Sequence, residues 1–183
     1  MPKTTDHFES LFTYAPISLW EEDYSGIKLF FDELRSRGIT DLNQHFDTNP
    51  ADVDTCMKRI KVLHVNNETL RMFGAKSEKE LLTNLDKVFR DEMREHFRTE
   101  LLTLWQGEIN WSGEGINYTL DGRPLNIRLN WKILPECSDK WECVMVAIQN
   151  ITELKQAEAR FRHLFNHAPI SLWEEDYHEL KEL

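Results

Sequence analysis

The sequence predicts an α+β fold that contains an antiparallel sheet of about five strands. Two patterns predict it. Up to Gly107, apolar residues recur mostly at helical spacing, and beyond Gly107 they alternate with polar residues at a period of two. Five short stretches with the composition of strands are separated by helical segments and turn residues, as in a domain of mixed architecture. An apolar fraction of 40% beside 30% charged residues is typical of a globular domain with a buried core.

The chain repeats part of itself. The stretch Phe8–Tyr24 returns as Phe161–Tyr177, and both copies end in Ala-Pro-Ile-Ser-Leu-Trp-Glu-Glu-Asp-Tyr. A match of that length indicates one complete unit of about 150 residues, an ordinary domain size, and the opening of a second unit. The predicted organisation is therefore a domain over 1–153, a connecting helix over 154–167 and the truncated start of a second repeat over 168–183.

The first strand, a helical insert and the second strand open the unit. Ile17–Tyr24 predicts a strand in which Trp20 and Glu22 share one face, because side chains alternate between the two faces of a sheet. Residues 25–60 then carry three helical segments, which form the predicted insert. The second strand follows at Lys61–Val65.

Short helices, one longer helix and three strands complete the unit. Gly74 closes a short helix, Ser77–Glu80 is a capping box that opens another, and an apolar stripe predicts a helix near 91–106. An Asp-Gly dipeptide at position 121 is a strong hairpin signal. The remaining predicted strands are Ile109–Thr119, Leu125–Ile133 and Trp141–Asn150.

The last predicted helix is amphipathic and begins at Thr152. Its apolar residues follow one another at spacings of three and four, which places them in one seam. The helix runs into the second copy without a Pro, Gly or Ser linker, and a continuous helix transmits a displacement that a flexible linker would absorb. The residues predicted to relay a signal are Asn150, Thr152, Leu154, Ala157, Phe161 and Leu164.

Three segments resemble a PAS domain of bacterial and archaeal sensor proteins. Val65–Leu82 resembles the PAS segment in which a strand ends in Asn and a short helix ends in Phe/Leu-Gly, and Leu120–Pro124 resembles the PAS hairpin. Asn150–Glu158 is similar to the Asp-Ile-Thr-Glu-x-Lys-x-Ala-Glu motif that closes such domains, with Asn in place of Asp. The opening strand with its helical insert resembles a sensory-box subgroup whose output is a histidine kinase or a diguanylate cyclase.

The resemblance implies a PAS-like fold with helices on one face of the sheet, and a role in signal transduction. The implied function is an input module that binds a small ligand or a partner and passes a conformational change through its C-terminal helix to an output domain. Two alternatives stay open: a ligand-free module for dimerisation or spacing, and a haem-based gas sensor. An enzyme is not expected, because the sequence offers no paired nucleophile and base.

The resemblance also indicates which residues line a ligand pocket. Glu22 is the candidate for holding a cationic or hydrogen-bonding group of a ligand. The alternative is that Trp20 belongs to the core and that the acids of this strand lie on a solvated edge or cap the inserted helix. Aromatic and Met residues at a period of two are also common in plain cores. The predicted pocket residues are Trp20, Glu22, Phe73, Leu129, Trp131 and Met145.

The sequence leaves the cofactor open, and no covalently bound cofactor is expected. His96 stands where haem-binding PAS proteins have their ligand, so haem would depend on that residue. Flavin is not expected, because the Asn-Cys-Arg-Phe-Leu-Gln segment of photoactive PAS domains is missing. The cysteines Cys56, Cys137 and Cys143 are odd in number and scattered, which predicts neither a disulfide framework nor a zinc site.

The charge and hydropathy restrict the predicted partners. A net charge of −10 argues against nucleic acid, since phosphate binding needs a basic surface. No apolar run is long enough to span a bilayer and the start lacks the apolar stretch of a signal peptide, so a cytoplasmic location is predicted. The expected partners are a small-molecule ligand, a second copy of the chain bound through the domain and its connecting helix, and a downstream module.

Overall fold

The computed structural model describes residues 4–90 and 93–167. The chain forms two compact units, Met1–Ile151 and Thr152–Leu183. The helices of the first unit are α1 (Thr4–Thr13), α2 (Ser25–Ser36), α3 (Leu42–Thr48), α4 (Ala51–Met57), α5 (Asn67–Phe73), α6 (Glu78–Thr83), α7 (Leu85–Val88) and α8 (Met93–Trp105).

The first unit is built on one five-stranded sheet in which every neighbouring pair is antiparallel. The spatial order is β2-β1-β5-β4-β3, so the first strand lies inside the sheet and not at an edge. This confirms the predicted α+β fold. The strands are β1 (Ser18–Asp23), β2 (Lys61–Val65), β3 (Asn110–Tyr118), β4 (Pro124–Ile133) and β5 (Val144–Asn150).

The strand register places three tryptophans on one face of the sheet. Trp20 of β1 lies opposite Val146 of β5, Val146 lies opposite Trp131 of β4, and Trp131 lies opposite Trp111 of β3. Trp20, Trp131 and Val146 are buried, and helices pack on this face, which we call the inner face. Met145 alternates to the opposite, outer face and is half-buried.

The helical insert after β1 belongs to the hydrophobic core. Phe31 of α2 packs edge-on against Trp105, with ring centroids 5.1 Å apart, and against Trp141, with ring centroids 5.9 Å apart. Because α2, α3 and α4 all bury apolar side chains, the insert adds to the core of the domain. These side chains are Ile27, Phe30, Phe31, Leu34, Leu42, Phe46, Val53 and Cys56.

Asn66 fixes the start of β1 to the start of α5. Its Oδ1 accepts hydrogen bonds from the backbone N–H of Thr69 (3.0 Å) and of Leu19 (3.1 Å), and its Nδ2 donates to the carbonyl of Ile17 (2.8 Å). A buried amide that satisfies three backbone groups at once caps the helix and sets the position of the strand beside it.

A disulfide joins Cys137, inside the β4–β5 loop, to Cys143, the last residue of that loop, contrary to the prediction from cysteine spacing. Cys137 and Cys143 have their Cα atoms 5.6 Å apart and are bonded through sulfur. The hairpin explains this, because the backbone N–H of Leu134 donates to the carbonyl of Cys143 and brings the loop ends together. Between the cysteines, Trp141 adopts a left-handed backbone (φ 62°), and its carbonyl accepts from the N–H of Tyr24 at 2.8 Å.

The structure describes the second unit as one helix, α9 (Thr152–His167). Leu154, Phe161 and Leu164 of the predicted seam are 48%, 64% and 68% exposed. The predicted second repeat over 168–183 lies outside the described residues. No helix among residues 4–90 and 93–167 is long and apolar enough to cross a membrane.

Candidate functional site

A cavity of about 500 Å³ lies between the inner face of the sheet and the helices that cover it. Its walls come from β1, β2, β4 and β5, from α7, α8 and the segment after α7, and from α4 of the insert. The insert therefore forms one wall of this cavity, a role that the sequence did not reveal. The apolar lining residues, aromatic rings aside, are Met57, Ile60, Val62, Leu85, Met93, Leu129, Val146 and Ile148.

Aromatic side chains form much of the remaining lining. Trp20 is held by a hydrogen bond from its Nε1 to Ser18 Oγ (3.0 Å). Its ring meets Phe73 edge-on at 5.6 Å and Phe89 at 5.9 Å between centroids. Since both the hydrogen bond and the ring contacts restrain it, Trp20 is a rigid part of the wall. The lining aromatic residues are Trp20, Tyr24, Phe89 and Phe97.

Glu22 brings a carboxyl group into this apolar wall. It lies two residues after Trp20 on β1 and is therefore on the same inner face, where it is 6% exposed. Burial raises the pKa of Glu22 to about 7, and a hydrogen bond from the Tyr24 hydroxyl offsets part of that rise. The side chain therefore changes its protonation state near neutral pH.

Glu100 of α8 is a second buried carboxyl group in the same cavity. It is 4% exposed, and burial together with the nearby charge of Glu22 raises its pKa to about 8. The Trp131 indole N–H has no hydrogen bond of normal geometry among the described residues, but it lies close enough to Glu100 to favour the carboxylate. Glu100 is not among the predicted pocket residues, although Phe97, Leu101 and Leu104 place it in the buried stripe of its helix.

The other charged residues that line the cavity are more accessible to solvent. Asp86 and Lys58 are exposed, and Asp54 is half-buried with an ion pair to Arg94 (Nε to Oδ1 3.2 Å). The lining therefore contains four carboxyl groups and one ammonium group. Within the described part of the chain, no group of three or more His, Cys, Asp or Glu side chains is arranged to hold a metal ion.

The structure brings three of the predicted pocket residues together and places the other three elsewhere. Trp20, Glu22 and Leu129 line the cavity. Phe73 is fully buried behind Trp20. Trp131 is also buried behind the lining, with its ring 6.3 Å from that of Tyr24 between centroids.

Met145 differs most from the prediction. It lies on the outer face of β5, in a shallow groove with Ala147 and with Asn130 and Lys132 of β4. Both faces of this strand are apolar, so alternation alone could not tell which face points inward.

His96 does not line the cavity that contains Glu22. It lies beside Gly115 of β3 in a cleft of about 10 Å³ that also touches Glu100. A Cβ atom on Gly115 would approach the His96 ring to 3.5 Å. The ring is therefore packed against the strand, and the residues around it offer no space for haem.

The residues predicted to relay a signal follow one another along the chain. Asn150 is the last residue of β5 and Thr152 is the first residue of α9. The seam residues of α9 described above are exposed, and so is Ala157. On the same helix, the rings of Phe161 and Phe165 stack with centroids 6.2 Å apart.

Solved structures share the fold of this chain, although no protein-family model and no curated protein matches it. A PAS domain from Colwellia psychrerythraea superposes with a TM-score of 0.54 at 12% identity, over 82% of this chain and 99% of that one. A light-oxygen-voltage domain studied with a flavin analogue gives 0.52 at 15% identity, over 88% and 95%.

A third solved structure was determined with a small molecule bound. It is the PAS domain, in complex with ethanol, of a LuxR-family transcriptional regulator from Burkholderia thailandensis. It gives a TM-score of 0.50 at 8% identity, over 79% of this chain and 97% of that one. The chain therefore has the PAS fold, as its motifs predicted.

Proposed function

We propose that this domain is a sensory input module whose cavity binds a small ligand. The observation that carries the proposal is the cavity of about 500 Å³, in which aromatic and aliphatic walls surround two buried carboxyl groups. Ligand sites typically have this size and this combination of apolar walls with a few polar groups. The Burkholderia thailandensis PAS domain, which was solved with ethanol, is a precedent for a small molecule bound to this fold.

The signal leaves the domain through β5. Val146 and Ile148 of β5 belong to the cavity wall, and the chain continues from Asn150 directly into α9 at Thr152. A ligand that binds one packing of this strand better than another shifts the population toward that packing. The helix then carries the change to an output domain, for which a histidine kinase or a diguanylate cyclase is proposed.

The proposed partner for α9 is the same helix of a second copy. Leu154, Phe161 and Leu164 expose large apolar side chains at seam spacing, and such a seam is buried when two helices pair. To test the relay, Leu154→Asp and Phe161→Asp are introduced into the full-length protein. Both are expected to abolish ligand-dependent output. Gln156→Asp, at an exposed position of α9 outside the seam, should leave the output unchanged. Unchanged output in both seam variants would contradict the relay.

Native mass spectrometry of the purified domain tests ligand binding. We expect a retained small molecule in the wild type and its loss in Met57→Trp, because a larger side chain at this lining position fills the cavity. The control is Leu29→Trp, which changes an exposed residue of α2. If the wild type carries no molecule and Met57→Trp leaves output unchanged, the domain is a ligand-free spacer. Absorption spectra of the same samples reveal any bound flavin or haem.

A further inference from the structure

We infer that the ligand of this cavity is a small organic cation, with an apolar body and an ammonium or guanidinium-type head that carries several N–H donors. This inference rests on the proposed function, because it names the ligand class of the same cavity. It goes further in assigning the head group to Glu22 and Glu100, which approach the cavity from β1 and from α8.

The two carboxyl groups have more hydrogen-bonding capacity than the protein satisfies. Both side chains are more than nine-tenths buried and both line the cavity. Glu22 accepts from the Tyr24 hydroxyl, and Glu100 faces the Trp131 indole N–H. A carboxylate has about four acceptor positions, so most of those positions are left to whatever occupies the cavity. A cationic head with several N–H groups satisfies them and neutralises the charge.

The surrounding charges favour a cation over an anion. The lining includes two further carboxyl groups, Asp86 and Asp54, of which Asp54 is paired with Arg94, and its one basic residue, Lys58, is exposed to solvent. Behind Glu100, His96 lies in the small cleft and not in the cavity. An anionic ligand would therefore meet four carboxyl groups and one solvated ammonium group.

The aromatic walls fit the rest of such a ligand. Trp20, Tyr24, Phe89 and Phe97 line the space around the carboxyl groups. Their faces attract a cation and their apolar surface receives a hydrophobic body. A quaternary ammonium group would use the ring faces but would leave the carboxylate oxygens without donors, which is why a head with N–H groups is inferred.

Binding of a cation is coupled to proton release. Burial raises the pKa of Glu22 to about 7 and that of Glu100 to about 8, so near neutral pH the empty cavity holds protons on its carboxyl groups. A cation between them favours the ionised forms and expels protons. A neutral hydrogen-bond acceptor would instead bind the protonated carboxyl groups and weaken as the pH rises.

The test uses four probes that share a phenyl body and differ in the head group: 2-phenylethylamine, 2-phenylethanol, 3-phenylpropionate and trimethyl(2-phenylethyl)ammonium. Calorimetry of the folded domain measures affinity in two buffers of different ionisation enthalpy, which reveals proton release. We expect the amine to bind at least about tenfold more tightly than each other probe. We also expect its affinity to rise from about pH 6 to about pH 8 with release of protons.

Isosteric variants locate the head group. Glu22→Gln and Glu100→Gln should each weaken amine binding by about tenfold or more, because each removes one buried charge partner. Glu21→Gln, on the opposite face of the same strand, should bind as the wild type does. Thermal unfolding of each variant reports whether it is folded, and the proton release of the wild type stands as an independent readout if one is not.

The outcomes separate this inference from the proposed function. Three outcomes would contradict a cationic ligand: equal or tighter binding of the alcohol or the propionate, no binding of the amine, or unchanged amine affinity in both Gln variants. If native mass spectrometry still finds a retained neutral or anionic molecule, the sensory function stands without the cation. If no probe binds and no molecule is retained, both the inferred cationic ligand and the proposed ligand-binding function are contradicted.

Discussion

Glu22 and Glu100 make the stability of the domain depend on pH. Both carboxyl groups have an ordinary pKa of 4.5, which burial raises to about 7 and about 8. Between about pH 4.5 and about pH 8, the two carboxyl groups of the folded domain hold protons that those of the unfolded chain have released. The free energy of unfolding is therefore highest below about pH 4.5 as far as these two groups are concerned, and it falls as the pH rises to about 8.

The first prediction is that replacing these glutamates flattens the pH dependence. Urea unfolding should show a loss of roughly a few kcal/mol between about pH 5 and about pH 8 in the wild type. Glu22→Gln and Glu100→Gln should each reduce that loss and stabilise the domain at the higher pH, because an amide has no charge to bury. Glu21→Gln should keep the wild-type slope. An unchanged slope in the Glu22→Gln/Glu100→Gln double variant would contradict the assignment.

The second prediction concerns Cys56. Its thiol is fully buried in the core, and burial raises its pKa to about 12. We expect Cys56 of the native protein to resist thiol reagents at neutral pH, because the reactive form is the thiolate. After mild reduction, titration with a chromogenic disulfide should count Cys137 and Cys143 in the native domain and Cys56 on unfolding. A third reactive thiol in the native state would show that the core opens there.

At the scale of the elements, the alternation of side chains along a strand predicts which residues share a face of the sheet. It placed Trp20 and Glu22 on one face of β1, because residues two positions apart on a strand share a face whatever their composition. It could not orient β5, where Met145 and Ala147 on one face are as apolar as Val144 and Val146 on the other. The helices that cover the sheet determine which of the two apolar faces of β5 points inward, and the sequence of the strand alone does not indicate where those helices pack.

The helical insert shows a second limit of prediction. Its length and three helices could be read from capping residues and apolar spacing, but its role could not. Met57 of the insert lines the cavity, and Phe31 of the insert packs in the core against Trp105, which is more than 70 positions away in the sequence. Such contacts leave no local pattern in the sequence.

The third prediction tests whether the insert is structural. Phe31→Ala should lower the free energy of unfolding by about 3–5 kcal/mol, because it leaves a hole between Trp105 and Trp141. Leu29→Ala on the same helix, at a side chain that is 67% exposed, should change it by less than about 0.5 kcal/mol. Denaturant unfolding followed by tryptophan fluorescence measures both. Similar changes in the free energy of unfolding for the two variants would mean that α2 does not contribute to the hydrophobic core.

At the scale of the whole molecule, the disulfide was the largest departure from prediction. Three scattered cysteines gave no reason to pair two of them, and it is the closure of the β4–β5 hairpin that brings Cys137 to Cys143. Disulfides are typical of oxidising compartments, and the cytoplasmic location stays a prediction.

The fourth prediction is that reduction destabilises the domain. The loop closed by the disulfide is short, so its loss should lower the free energy of unfolding by about 2 kcal/mol. The double variant Cys137→Ser/Cys143→Ser should show the same loss and no further response to a reductant. Thermal unfolding with and without reductant measures the effect. A wild-type midpoint that is insensitive to reductant would indicate that the two thiols are not bonded in solution.

The interior position of β1 has a consequence for folding. The ten residues from Ala15 to Tyr24 occur twice in the chain, yet the sheet has a single place for them, between β2 and β5. To replace β1, a copy must take that place before the neighbouring strands close around it. Exchange between chains is therefore a kinetic competition during folding, favoured by high protein concentration, and mixing chains that are already folded should produce none.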